Sequence, residues 1–453
     1  MHTGLASSGY RRISGRPCFD AREAAMIQSI RSVASLLIST FFLLTAMGLS
    51  GYLIPVRAVA EGWSTFAISL IATGYAIAFT ASCVITPRLV LKVGHVRVFG
   101  ALTTIMAMSF LLHSLIVHPA AWVLTRALAG FSIAGAYMII ESWLNEKVSN
   151  ENRGALFSVY MVVSMTAVMV GQYIVPFGDP SGPTLFMICA LVCSLAVMPT
   201  ALSGAQSPQP LTQVKFDIPG LYRRSPAAVV GTLLAGLIAS AWGGLGPVYA
   251  TQLGLSTTEG ASMLAIAMIG GAIFQYPLGR ASDRMDRRKV MIFAGFIGIA
   301  ACAVTVAFGV ENRIVFFAGM LCLGTVLFPI YSLNVAHAND HAKPDEFVEV
   351  SSGLMLTYGG ATMVGPLITG AAMDRFGPHA LFVTIALSFA AYSAHAAWRI
   401  SRREQPSEEM RSDFLPMAAL PDLTPQTAEL DPRSDPAYGE DAEEDTAAPS
   451  GAA

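Results

Sequence analysis

Long apolar windows separated by short polar joints make up most of this chain. They lie near 32–56, 64–86, 98–117, 119–140, 154–176 and 183–203, and again near 227–250, 260–279, 290–310, 314–336, 350–372 and 379–398. About 20 apolar residues are needed to carry a helix across the hydrocarbon core of a bilayer. The pattern therefore predicts an all-α membrane protein with twelve spans in two sets of six. The first window holds 25 residues without a charge, Ser32 to Val56, too long for the core of a cleaved signal. It is expected to be a retained helix. Residues 1–25 are polar and unpatterned, and Met26 opens a more natural lead-in, so the true start is expected there.

Composition supports the bilayer. Apolar types make up 54% of the 453 residues and charged types 13%, against about 25% charged in a typical globular protein. So little charge cannot cover a soluble fold of this size. A soluble enzyme, a secreted disulfide scaffold and a nucleic-acid binder are all excluded, the last also because no basic surface is clustered. Of the six cysteines, all but Cys18 fall inside apolar runs and read as packing residues. None has zinc spacing, so no metal or cofactor is expected.

The net charge of −2 hides an asymmetry. Residues 404–453 carry 13 acids and two bases. That tail also has seven prolines and few aliphatics, so it cannot bury enough apolar surface to offset its ordering entropy. It is expected to be a disordered acidic tail. Lysine and arginine accumulate on the cytoplasmic side of membrane helices. With both termini cytoplasmic, 24 of the 28 fall inside, three outside, and Arg126 within a span. The chain then divides into a cytoplasmic N-terminal segment (1–30), a first bundle (31–204), a linker (205–226), a second bundle (227–403) and the tail. The linker is marked by Ser207-Pro208-Gln209-Pro210 and by Pro219-Gly220.

The halves echo one another at an offset near 190. Gly48-Leu49-Ser50-Gly51 before Pro55-Val56 is matched by Gly243-Gly244-Leu245-Gly246 before Pro247-Val248. Gly130, Gly135 and Leu144-Asn145 are matched by Gly319, Gly324 and Leu333-Asn334, each 189 residues later. Val170-Gly171 is matched by Val364-Gly365. Two parallel six-helix repeats around a central cavity form a transporter architecture.

Chemistry concentrates in a few places. The joint between the eighth and ninth windows reads Gly279-Arg280-Ala281-Ser282-Asp283-Arg284-Met285-Asp286-Arg287-Arg288-Lys289. This G-x-x-x-D-R-x-x-R-R pattern resembles the signature loop of the major facilitator superfamily. In the first half the corresponding joint has Thr86 where the glycine would stand and Val90 where the aspartate would. The resemblance implies a cytoplasmic latch of Gly279, Asp283, Arg284, Arg287 and Arg288, whose ion pairs hold one face shut. Arg126, Gly130 and Gly135 fit the superfamily's fourth helix. Glu141-Ser142-Trp143-Leu144-Asn145, Arg153-Gly154, Tyr160 and Gly171-Gln172 resemble its YcaD-like branch. The family implies two six-helix bundles related by pseudo-two-fold symmetry, alternating access, and a bacterial inner-membrane location. It implies no substrate.

Arg126 lies seven residues past Pro119, about 10 Å along a helix. A cation at that depth is costly unless it faces a cavity or a partner, so it is a candidate for binding an anionic group or tuning a proton site, with snorkelling to the outer surface as the alternative. Glu141 lies about 33 Å past Pro119, at the cytoplasmic end, and is expected to form a gating ion pair with Arg153 or the loop cations. Gln172, Gln275, Asn334 and His337 are further candidates for substrate or coupling. Buried amides demand partners, and histidine titrates near neutrality. Metalloprotease, nucleophile-elbow and phosphate-loop motifs are absent, which argues against an enzyme and against ATP-driven transport. The expected function is a monomeric secondary transporter of a small solute, with proton-coupled export preferred. Facilitated uptake and a non-transporting sensor are the alternatives.

Overall fold

The computed structural model describes residues 18–147, 153–202, 218–342 and 346–402. Among them every regular element is helical. In chain order these are α1 (Cys18–Ala60), α2 (Thr65–Val93), α3 (His95–Leu115), α4 (Pro119–Lys147), α5 (Arg153–Ile174), α6 (Thr184–Leu195), α7 (Val197–Leu202), α8 (Ile218–Arg224), α9 (Pro226–Gln252), α10 (Thr257–Arg284), α11 (Arg287–Phe308), α12 (Arg313–Leu327), α13 (Pro329–Asn339), α14 (Phe347–Phe376) and α15 (Ala380–Ile400). The acidic tail and the proline-rich part of the linker lie outside the described residues.

Ten stretches are long and apolar enough to cross a bilayer. The other two predicted windows differ in kind. The sixth is broken into α6 and α7 at Ala196. The eleventh, α14, is long at 30 residues, but its glycines, serines and threonines dilute its apolar character. The tenth window is also interrupted, between Leu327 and Pro329, because a proline offers no N–H to continue the helix above it. Several helices run further than their windows. α2, α4 and α10 continue through Lys92, Lys147 and Arg284, since long basic side chains reach water while their backbone stays helical. At the other end, α10 opens with a capping box in which Ser256 and Glu259 satisfy each other's backbone N–H. The linker contains one helix the sequence did not announce, α8, beside which Arg224 pairs with Glu346 at 2.9 Å.

The same packing map occurs twice. α1 packs on α5 and α6, α2 on α4, and α3 on α4 and α6; α9 packs on α14 and α15, α10 on α12, and α11 on α12 and α15. Glycines permit the closest approaches. A Cβ on Gly171 would strike the α1 backbone at Thr45, and one on Gly365 the α9 backbone at Leu237. Likewise Gly130 lies on Tyr75 of α2, and Gly324 on Ala267 of α10. By packing, then, Gly130 corresponds to Gly324, not to Gly319 as the match at 189 implied. The true register is longer by a little more than a turn and agrees with that of Gly171 and Gly365.

Large apolar side chains also face outward. Phe293 and Phe296 on α11 are each 62% exposed, as suits a surface solvated by lipid. The two halves meet along α2 with α14, α1 with α9, and α5 with α10.

Candidate functional site

A cavity of about 250 Å³ lies between the halves, walled by α1, α2, α4 and α5 on one side and by α9, α10, α12, α13 and α14 on the other. The helices α3, α6, α11 and α15 contribute nothing to it. Its walls are largely apolar and aromatic, with Phe79, Tyr137, Trp242, Phe328 and Tyr358 among them. Arg126 is the one charged side chain among the lining residues. Its guanidinium lies 4.5 Å from the centre of the Tyr75 ring and donates to Ser50 Oγ at 3.3 Å. It lines the cavity beside that ring and hydroxyl.

Gln172 also lines the cavity. It is 8% exposed, and its Oε1 has no hydrogen-bond partner. Two groups that sequence reasoning passed over share that condition. Tyr331 Oη on α13 and Ser352 Oγ on α14 line the cavity, are buried, and have no partner. No sequence signal marks them, since tyrosine and serine are ordinary in membrane helices. Gln275 is buried on α10 with an unpartnered Nε2, but it is not a wall of this cavity. Asn334 is fully buried and accepts a hydrogen bond from Tyr392 Oη at 3.1 Å. It packs where Gly231 leaves room, so it ties α13 to α9 and α15, away from the cavity.

The charged joint forms a buried network at one end of the second half. Arg287 is 3% exposed; its Nε donates to Asp340 Oδ2 at 2.8 Å, and its Nη1 to Ser282 Oγ at 2.8 Å and Asp283 Oδ1 at 3.1 Å. Arg288 grips Asp286 with Nε at 3.0 Å and Nη2 at 2.8 Å, and reaches the Arg399 carbonyl with Nη1 at 3.1 Å. Asp286 also caps α11 through the Arg288 amide. Burial pushes the Asp286 carboxyl up, but the Arg288 hydrogen bonds and charge outweigh it and leave the group below its usual 3.8. Gly279 is buried on α10, whereas Arg284 is exposed. His337 belongs here as well. Its ring meets that of His341 edge-on at 5.0 Å, at the charged end and not on a cavity wall. The network's named partners thus join α10, α11, α13 and α15 within the second half. Asp340, its most buried acid, was invisible to a reading centred on the joint.

Glu141 lies on α4, in the first half. It is 3% exposed and accepts a hydrogen bond from Tyr160 Oη at 3.0 Å. The Arg153 side chain lies outside the described residues. Of the other histidines, His113 is packed, with ring nitrogens near the Ser109 carbonyl and Thr125 Oγ1 and its face on Phe186.

The opposite end is where the halves are stitched together. Both carboxylate oxygens of Asp374, on α14, accept the first backbone amides of α2, from Thr65 at 2.7 Å and Phe66 at 2.9 Å. Gln252 Nε2 donates to Thr65 Oγ1 at 3.0 Å. Tyr52 Oη donates to the Thr257 carbonyl at 2.8 Å, and Tyr173 Oη bonds Ser262 Oγ at 2.9 Å. Deeper in, Thr73 Oγ1 donates to the Met363 carbonyl at 3.0 Å. Each of these bonds crosses between the halves.

Comparison with known proteins decides the family. The family profile described as Major Facilitator Superfamily matches residues 36–361 and 228–418. The chain belongs to the Major Facilitator Superfamily. Among curated members, an uncharacterized MFS-type transporter YcaD of Escherichia fergusonii is 24% identical over 358 residues, 78% of this chain and 91% of that protein. Among solved structures, the nucleoside transporter NupG superposes with a TM-score of 0.68 at 15% identity, covering 82% of this chain and 98% of NupG. A bacterial homologue of the human lysosomal transporter Spinster, in an inward-facing unoccupied conformation, gives 0.67 at 12% identity, over 83% and 99%. At these identities the superpositions show the shared fold. The superfamily is one of membrane transporters, not of enzymes, and the chain is a multi-pass membrane protein.

Proposed function

We propose that this chain is a secondary transporter that carries a small solute by alternating access. In this reading twelve spans form two six-helix bundles, 31–204 and 227–403, related by a pseudo-two-fold axis through the cavity. The protein works as a monomer in a bacterial inner membrane with both termini in the cytoplasm. The observation that carries the proposal is the cavity between the halves. Equivalent helices from each half wall it, and cross-half hydrogen bonds seal one end of it. Rocking one bundle against the other would break that seal and expose the same walls to the opposite side. In the orientation set by the lysine and arginine bias, the stitched end is the outer one. The charged network then stiffens the cytoplasmic end of the second bundle.

Cys83 is a native probe for this cycle, because it lines the cavity and is only partly buried. With the other cysteines replaced by serine, an impermeant maleimide should label Cys83 in both right-side-out and inside-out vesicles. Labelling from one side alone would overturn alternating access.

Proton coupling is the second reading. No aspartate, glutamate or histidine is among the lining residues, so a proton carrier would be Glu141, buried beside Tyr160. Export by proton antiport then predicts that Glu141→Gln retains binding but loses its response to a pH gradient. A variant that keeps that response would remove Glu141 from coupling.

A further inference from the structure

We infer that the solute is a small organic monoanion, whose carboxylate meets Arg126 and whose neutral hydroxyl or amide meets Tyr331 and Ser352 across the cavity. This rests on the transporter reading above and narrows it. Three observations carry it, each independent of the others.

The first is charge. Arg126 is the single charged lining residue, so the cavity walls carry one positive charge and no negative one. In a medium that solvates ions poorly, such a wall favours one negative charge on its ligand and disfavours a cation. The guanidinium carbon lies 4.5 Å from the centre of the Tyr75 ring, and a guanidinium's planar fork of donors matches a carboxylate.

The second is the set of unpartnered polar atoms. Buried polar groups almost always have hydrogen-bond partners, and exceptions need an explanation. Gln172 Oε1, Tyr331 Oη and Ser352 Oγ have none, are 8%, 4% and 1% exposed, and line the same cavity. Gln172 lies in the first half with Arg126, while Tyr331 and Ser352 lie in the second. A ligand with a charged end and a neutral hydrogen-bonding end would engage both halves at once. Binding would thereby report to each bundle that the other is in place.

The third is the body between those ends. Trp242 and Phe79 are walls of the cavity, and aromatic walls take planar or apolar groups. A volume of about 250 Å³ falls just below the usual range of ligand sites, which starts at about 300 Å³. That size suits a metabolite with one ring and excludes a phospholipid.

The test compares matched acids and amides on the full-length protein in detergent. The probes are benzoate, 4-hydroxybenzoate and 3-(4-hydroxyphenyl)propanoate, each beside its primary amide. Two readouts are used: thermal stabilisation, and protection of Cys83 from maleimide. At least one acid should stabilise the protein and protect Cys83, with its amide about tenfold weaker or worse, because a charge-assisted hydrogen bond is lost. Arg126→Gln should abolish the difference between acid and amide. Tyr331→Phe should abolish the preference for 4-hydroxybenzoate over benzoate and leave benzoate unchanged. The comparison on the wild type stands even if a variant does not fold. Amides that bind as well as acids, or a panel in which no acid binds, overturn the inference. Labelling of Cys83 from both sides in that case retires the anion while alternating access stands. Labelling from one side, with acids still preferred, keeps the anion site and removes alternating access.

Discussion

Single side chains set the largest local energies in this molecule, and Arg287 is the clearest case. Its guanidinium and the Asp340 carboxylate are both withdrawn from water. Removing one partner of a buried pair strands the other, at a cost of about 3–5 kcal/mol, while replacing both by apolar groups is often neutral. Arg287→Met should therefore lower stability by about that amount, and Arg287→Met with Asp340→Leu should restore most of it. Chemical unfolding in mixed micelles would measure both. The neighbouring Asp286 adds a pH dependence. Its lowered pKa means that its stabilising charge is fully present above the usual 3.8 and is lost as pH falls through the lowered value. Asp286→Asn should be less stable than the parent at neutral pH, and the gap should close on acidification into that range. A gap that stays constant with pH would assign the contribution to the cap geometry alone.

At the scale of elements, glycine contacts decide how closely helices approach. The α1–α5 contact rests on Gly171, where a side chain would meet backbone and not a movable side chain. Gly171→Leu should cost about 1–3 kcal/mol or more through overpacking, read as a lowered unfolding midpoint, whereas Gly51→Ala, with open space around its Cβ position, should be tolerated. The helices themselves were legible in the sequence, because apolar windows of this length have one solution in lipid. The repeat was legible too, but its register was not. Glycines recur often enough in membrane helices that a match at 189 competed with the packing match of Gly130 to Gly324. The breaks at Ala196 and Phe328 were hidden because hydropathy does not see backbone geometry. Arg126 was legible because a cation inside an apolar span is expensive wherever it points. Tyr331, Ser352 and Asp340 were not, since only their surroundings distinguish them from the same residue types elsewhere in the chain.

At the scale of the whole molecule, the two ends are held by different chemistry. The charged end has strong ion pairs whose named partners lie within the second half. The stitched end joins the halves by a few single hydrogen bonds, among which the Asp374 carboxylate on the α2 amides is the one with formal charge. An N-cap of this kind contributes about 0.5–2 kcal/mol. In the proposed cycle a seal of that strength can be broken at each turn, whereas a buried ion-pair network cannot be dismantled cheaply. Asp374→Asn should keep one of the two acceptors and shift the population of the sealed state. Maleimide labelling of Cys83 from the stitched side should rise severalfold, by the factor that about 1 kcal/mol gives. Unchanged labelling from that side would mean that other contacts bear the closure.

The position of Asp374 has one more consequence. Thr65 and Phe66 have no carbonyl of their own helix to donate to, so the start of α2 borrows its acceptor from the other half. When the halves part in the proposed cycle, those two amides pass to water. Their hydrogen–deuterium exchange is thus a clock for opening, written into the backbone and readable on the unmodified protein without a label or a known solute.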